Sequence, residues 1–261
     1  MASLSVKGLS FRYPRSNCNV LSDITLKVEK GEFVSLLGPN GSGKSTLALI
    51  LSGLLDKDGG ECTPGRDERR SLCRIVFQNP DNQIVGETVE EDTAFGPENL
   101  SLPPSVIRRR VDEALEAVAL SEKKEMSPSS LSGGEKQRLA IAGALALKPD
   151  YLILDEASSM LDSPSIASML TLIRKECSEG RVGVLYITHH TDEAVLSDRV
   201  YIINEGRTVK EGKPKDVLTY ETLIQNSLPV PYAISLSHSL NLGSLLTLEE
   251  VEEEIRGRLG R

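Results

Sequence analysis

The run Gly38-Pro39-Asn40-Gly41-Ser42-Gly43-Lys44-Ser45-Thr46 constrains the fold of this 261-residue chain more than any other stretch. It fits the spacing G-x-x-x-x-G-K-[ST], a phosphate-binding loop. Glycines there let backbone N–H groups turn inward onto phosphate oxygens. An apolar run, 33–37, precedes it and reads as a buried strand. Leu47, Ile50, Leu51 and Leu54 follow on one helical face. The loop therefore joins a strand to a helix, whose N-terminus adds positive potential at an anion. Lys44 is placed to reach terminal phosphates, and Ser45 to put its hydroxyl on Mg²⁺. Kinases, GTPases, motors and transporters share such a loop, so other residues must choose among them.

Composition narrows the choice. A hydrophobic fraction of 39% supports one sizeable α/β domain with a small extra segment. The formal charge of −8 argues against a general nucleic-acid binder, and the absence of Trp argues against base-stacking platforms. Cys18, Cys62, Cys73 and Cys177 lack zinc spacing and read as reduced cytosolic thiols. No signal peptide is visible, and no apolar run approaches the roughly 20 residues that span a bilayer. Any membrane role is expected to come through a partner.

In order, 4–13 reads as a strand, Ile24, Leu26 and Val28 as a second, and 33–37 as the third. Spacing alone makes Tyr13 a strand-edge side chain. Residues 60–71 read as polar and irregular, and 72–77 as a strand ending at Gln78. A lone loop glutamine is usually solvated. Residues 88–120 read as mainly helical, with Ser105 as an N-cap after Pro103-Pro104. Residues 121–130 read as a polar linker. Ser132-Gly133-Gly134 opens the next helix. It suits an anion, although by itself it reads as an ordinary N-cap. The strand 151–154 delivers Asp155 and Glu156 to its C-terminal end, where α/β sheets bind ligands. Beside a phosphate loop, Asp155 suits Mg²⁺ and Glu156 the attacking water. Ser163 reads as an N-cap before Pro164. The strand 182–187 ends at Thr188-His189-His190. Neighbours on an extended chain face opposite ways, so the histidines are not expected to form a metal box. After 228–231, a linker, Leu236 and Leu240 suggest a short helix. Thr247-Leu248-Glu249-Glu250 reads as a capping box, and Leu248, Val251, Ile255 and Leu259 as an apolar stripe. That stripe fits docking within the chain and dimerisation equally.

Read together, Tyr13, the 38–46 loop, Gln78, Leu131-Ser132-Gly133-Gly134-Glu135-Lys136-Gln137-Arg138, Asp155-Glu156-Ala157, Ser159-Met160-Leu161-Asp162 and Thr188-His189-His190 resemble an ABC-type ATPase. The order extends to about Tyr220. A narrower likeness rests on Phe77-Gln78-Asn79-Pro80-Asp81-Asn82-Gln83-Ile84-Val85-Gly86 and Glu91-Asp92-Thr93-Ala94-Phe95-Gly96. These look like the ATPase of energy-coupling-factor importers, which take up vitamins or cobalt and nickel ions. Residues 141–147 and 159–162 resemble the first of that family's two ATPase subunits.

The resemblance implies an α/β fold of the P-loop NTPase ABC ATPase type, with an antiparallel β subdomain and a helical subdomain. It implies an ATPase domain over 1–225, its helical subdomain at about 79–145, and a C-terminal helical extension over 226–261. It assigns Tyr13 to base stacking and the 38–46 loop to ATP. Mg²⁺ falls to Ser45, Gln78 and Asp155, and catalysis to Glu156, His189 and Gln78. Leu131, Ser132, Gly133, Gly134 and Glu135 become a signature loop that closes on the ATP of an opposite subunit. The implied partners are a second ATPase subunit, identical or not, a transmembrane coupling protein and a substrate-binding membrane protein, with no nucleic acid. The implied place is the cytoplasmic face of the cell membrane. Glu135 replaces the commoner glutamine, His190 replaces aspartate, and 60–72 is short enough to suggest a trimmed small sheet. The alternatives are a soluble ABC ATPase acting on nucleic acid or the ribosome, and a degenerate subunit that binds ATP without turnover.

Overall fold

The computed structural model describes residues 3–259, with the side chains of Arg70, Ser71 and Leu259 excepted. In chain order the strands are β1 (Leu4–Phe11), β2 (Leu21–Val28), β3 (Phe33–Leu37), β4 (Gly59–Thr63), β5 (Cys73–Val76), β6 (Tyr151–Asp155), β7 (Gly183–Thr188), β8 (Arg199–Asn204) and β9 (Arg207–Gly212). The helices are α1 (Lys44–Leu51), α2 (Arg66–Leu72), α3 (Val89–Asn99), α4 (Pro104–Ala117), α5 (Gly133–Ala146), α6 (Ser163–Ser178), α7 (Pro214–Val217), α8 (Tyr220–Gln225), α9 (Tyr232–Ser239) and α10 (Leu248–Leu259).

Every residue of β3, β6 and β7 is buried, as parallel strands covered on both faces require. They lie in a sheet of order β5-β6-β7-β3-β8-β9, parallel except for β9. β1 and β2 alternate buried with exposed residues, the pattern of a sheet with one wet face. They form a second, antiparallel sheet of order β2-β1-β4. One core packs this sheet and α1 against the main sheet through Leu9, Ile24, Leu47 and Ile187. Another joins the opposite face to α3, α4, α5 and α6 through Val89, Leu115, Leu139 and Ile173.

Register is what assembles a site. Leu37 pairs with Thr188, Asp155 with Ile187, and Val76 with Leu154. The residues that follow each strand therefore leave the sheet at one edge: the phosphate loop after β3, Glu156 after β6, His189 after β7, and Gln78 two residues beyond β5.

Several local expectations need correction. Residues 60–71 are not irregular. β4 pairs with β1, Val6 opposite Cys62, and α2 follows, so a small sheet is kept. α4 starts at Pro104 with Pro103 as its cap, because proline already holds a helical φ and the first-turn N–H is dispensable; Ser105 lies inside. α6 is capped by Asp162, which accepts from the Ser165 N–H at 3.0 Å, and not by Ser163. The 121–130 linker holds two 3₁₀ turns.

The C-terminal segment that leads into the stripe docks within the chain. Leu228, Ile234 and Leu246 share a core with Val200, Ile202, Val217 and Leu223. Val251 is buried, but Leu248 is 51% exposed, so the stripe is only partly covered. The Leu259 side chain lies outside the described residues. In α9 the buried positions are Ala233, Ile234 and Ser237, while Leu240 is exposed. The capping box forms: Glu250 N–H donates to Thr247 Oγ1 at 3.2 Å, and Thr247 N–H to Glu250 Oε2 at 3.4 Å.

Candidate functional site

The phosphate loop leaves β3 through Gly38, whose backbone is pressed against the Ile203 carbonyl; an added Cβ would lie 2.4 Å from it. Gly43 caps α1 with φ at 100°, a conformation that costs an L side chain but not glycine. A Cβ there would also meet Leu21 at 2.6 Å. Lys44 is buried, and its ammonium donates to the Gly38 and Pro39 carbonyls at 2.8 and 3.1 Å. Burial lowers its pKa from the ordinary lysine value, against the pull of the Glu156 and Asp155 carboxylates. Burial likewise raises the Asp155 carboxyl, a Ser45 hydrogen bond opposing it. Both shifts describe charges held out of water with incomplete compensation. A polyanion beside Lys44 and a cation beside Asp155 would supply it.

A cavity of about 480 Å³ gathers Val20, Asn40, Gly41, Gly43, Lys44, Ser45, Thr46, Gln78, Asp155 and Glu156. The Ser45 hydroxyl donates to Asp155 Oδ1 at 3.2 Å. With the Gln78 amide lining the same space, the available donors are a hydroxyl, a carboxylate and an amide oxygen. Such a hard set suits Mg²⁺. Glu156 follows β6 with φ at 51°, a strained value for a side-chain-bearing residue. Its carboxylate stands 4.0 Å from Lys44 Nζ and 3.6 Å from His189 Nδ1. That His189 nitrogen is buried and has no hydrogen-bond partner among the described residues. The two histidines do not face opposite ways. Their ring centroids are 4.1 Å apart, because β7 ends at Thr188 and the chain has left the extended conformation.

Tyr13 stands at the strand edge, as its spacing predicts. Its ring packs edge-on against Phe11 at 4.9 Å, as a strand-edge residue does. Its hydroxyl also lies 3.1 Å from Thr46 Oγ1, and the 40% exposed ring lines a second cavity of about 860 Å³ with Arg12 and Asp58. A flat apolar surface thus stands beside the phosphate loop.

The lining of the phosphate cavity does not include Leu131, Ser132, Gly133, Gly134 or Glu135. These residues form a closed cap at the start of α5. Ser132 N–H donates to Glu135 Oε2 at 2.9 Å and Glu135 N–H to Ser132 Oγ at 3.3 Å. Lys123 donates to Glu135 at 2.5 Å. That ammonium, with the Ser132 N–H, pulls the Glu135 carboxyl down to about 2. Lys136 pairs with Asp81 at 2.7 Å, and the buried Gln137 donates to the Phe77 carbonyl at 3.4 Å. α5 is thereby tied to the loop that carries Gln78.

Sequence reading gave Gln83 no role of its own; it accepts from Phe77 N–H at 2.7 Å and donates to the Ile75 carbonyl at 3.1 Å. It also passed over Val20, an ordinary apolar residue whose place in the cavity depends on the antiparallel sheet.

The chain matches the ABC transporter family model over residues 21–159. It is 44% identical to the energy-coupling factor transporter ATP-binding protein EcfA1 of Symbiobacterium thermophilum, over 95% of each chain. It is 42% identical to the energy-coupling factor transporter ATP-binding protein EcfA of Methanosarcina acetivorans, over 91% of this chain and 89% of that one. Among solved structures it is similar to cbiO1 from Clostridium perfringens, described as part of the ABC transporter complex cbiONQ. The TM-score is 0.77 and the identity 34%, covering 85% of this chain and 92% of that one.

Proposed function

This chain belongs to the ABC transporter family, and we propose that it is the ATP-hydrolysing subunit of an energy-coupling-factor importer. One observation carries the chemistry. Three strand ends deliver Lys44, Ser45, Gln78, Asp155 and Glu156 to one cavity, and a fourth puts His189 3.6 Å from Glu156. The soluble alternative loses ground because relatives matching over nine-tenths of the chain carry transporter names. Glu156 also argues against a subunit without turnover.

ATP fits with its phosphates in the 38–46 loop. Backbone N–H groups and Lys44 take up phosphate charge, and Tyr13 offers its ring to the base. Ser45, Asp155 and Gln78 would hold Mg²⁺, which supplies charge neutralisation at the β- and γ-phosphates. Glu156 orients the attacking water and accepts its proton. His189, with its free Nδ1 beside Glu156, is placed to contact the terminal phosphate. Most phosphoryl-transfer catalysis is electrostatic and positional, so Lys44 matters as much as the base.

No helix of the described residues is long and apolar enough to cross a membrane. We place the chain peripherally on the cytoplasmic face, with a second ATPase subunit and a transmembrane coupling protein. A separate membrane protein then selects a vitamin or transition-metal ion. The coupling protein is expected at the Gln78 loop and the helices after it. There a groove between α3 and α4 has Ala94, Ile107 and Val111 on its floor, with Glu90, Glu91 and Glu98 around it. Val85 and Phe95 are exposed nearby.

Glu156→Gln tests the reading. ATP binding should persist while turnover falls about 10²–10⁴-fold, the usual contribution of a positioned base. Near-normal turnover in this variant would overturn the assignment.

A further inference from the structure

Glu193 lies outside every motif, yet it is 6% exposed and stands behind the reaction site. It opens a 3₁₀ turn, Glu193–Leu196, just after the histidine pair. One carboxylate oxygen, Oε2, accepts three hydroxyls: Ser158 Oγ at 3.0 Å, Tyr186 Oη at 2.7 Å and Thr188 Oγ1 at 2.8 Å. All three donors are buried. A carboxylate is expensive to bury, and here its partners are neutral hydroxyls rather than a cation. Each hydroxyl has one proton, so donation to Glu193 fixes its orientation.

The three donors sit on different parts of the site. Ser158 lies two residues after Glu156. Thr188 ends β7 and precedes His189. Its oxygen, having given its proton to Glu193, accepts the His190 N–H at 3.0 Å. Tyr186 anchors the group from inside β7, and burial, reinforced by the Glu193 carboxylate, keeps its phenol protonated. A backbone bond also joins the two loops, Glu156 N–H to the Ile187 carbonyl at 2.9 Å. That bond fixes the Glu156 backbone but not the path of the chain beyond it.

We propose that Glu193 is a positioning residue for ATP hydrolysis, its buried carboxylate clamping the segment after Glu156 to the segment that carries His189. The clamp rests on the reading of Glu156 and His189 given above. It acts on the geometry of the water and terminal phosphate, not on the phosphate loop, so it should affect turnover and leave ATP binding intact.

The test is Glu193→Gln, which keeps the shape and removes the charge, alongside Ser158→Ala and Thr188→Val, which each remove one donor. They are assayed in the assembled transporter. Glu193→Gln should lower kcat about tenfold to a hundredfold, the scale of a small misplacement of reacting groups. The KM for ATP and the binding of ATP without turnover should change less than about twofold. The two donor variants should lose less, and should cost nothing further when combined with Glu193→Gln, because a broken clamp cannot be broken twice. A kcat near wild type in Glu193→Gln overturns the proposal. So does a joint fall in kcat and ATP affinity, or full additivity in the double variants. If Glu193→Gln fails to fold, unchanged kcat in both Ser158→Ala and Thr188→Val overturns it. Glu156→Gln is run in parallel. Normal turnover there breaks the reading of the base, whereas an inactive Glu156→Gln with normal Glu193→Gln removes the clamp alone.

Discussion

The phosphate loop and the signature loop are both glycine-bearing helix starts, yet they are finished differently. The first is open. Gly41 has φ at 80° and no atom within 4 Å of where a Cβ would stand, and Lys44 and Asp155 are buried with their charges incompletely matched. The second is closed on itself, with the Ser132 hydroxyl, the Ser132 N–H and the Glu135 N–H satisfied within the loop. The open loop faces its own chain's cavity. A closed cap can be presented as a rigid surface to something outside the chain. The 131–135 loop contributes nothing to the lining of this chain's own phosphate cavity, which is the arrangement the proposed two-subunit site requires.

The largest expected effect tests that division. Lys44→Ala should abolish activity by removing phosphate charge compensation. Gly133→Asp should abolish it by setting a carboxylate against the phosphate of the opposite subunit. Gly133 is the better choice for this than Gly134. A Cβ at 134 would lie 2.8 Å from Ser165 Oγ and damage its own subunit, while at 133 the nearest atom is 3.7 Å away. Mixed dimers of the two variants contain one intact composite site and should recover part of the activity. If the protein pairs with a sister subunit, the two changes are divided between the chains. Mixed dimers that form and stay inactive, where one site is known to suffice, would count against the shared site.

An intermediate effect is expected at the histidines. His189→Ala should impair turnover, because its Nδ1 faces Glu156 at 3.6 Å. His190→Ala should be mild in turnover. It removes a ring contact at 4.1 Å that His189→Ala removes as well, so the contact cancels from the comparison. Single-turnover rates separate the two, and melting curves check that both variants stay folded. Greater loss of rate in His190→Ala would show that His190, rather than the Glu156 neighbour, is what the open site depends on.

The smallest effect concerns the closed cap. The Glu135 carboxyl is held at about 2 in the folded chain, below its ordinary value of 4.5. A depressed carboxyl stabilises the fold fully above its unfolded pKa. The contribution fades as pH falls from about 4.5 toward about 2. The stability advantage of wild type over Glu135→Gln should therefore shrink across that window, and only slightly, as the Lys123 partner is partly exposed and solvent screens the pair. Paired thermal melts measure it. A constant difference between the two proteins would mean that Lys123 and Ser132 do not select the charged form.

Much of the site was legible because its parts are local. A phosphate loop is nine consecutive residues whose spacing forces its geometry, and a strand ending in Asp155-Glu156 announces itself by one apolar run. Capping chemistry was readable at Thr247-Glu250 for the same reason. It misled at Ser105 and Ser163, where proline and Asp162 compete for the same helix start. The histidines were misjudged because alternation holds only while the chain stays extended, and strand ends are not marked in a sequence. The C-terminal stripe left two outcomes open, since an apolar face states a need for cover without naming what covers it. Docking decided for Val251 and against Leu248.

The sequence by itself determined the chemistry of the phosphate loop, the identity of the acidic pair and the alternation of the sheets, all set by bonds and periodicities within a few residues. Tertiary structure decided what those parts meet. Strand register brought Gln78, Glu156 and His189 to one edge, and a buried glutamate outside every motif gathered hydroxyls from Ser158, Tyr186 and Thr188. The reason is physical: a hydrogen bond or a shared cavity depends on distance in space, and residues 158 and 193 become neighbours only when parallel strands align.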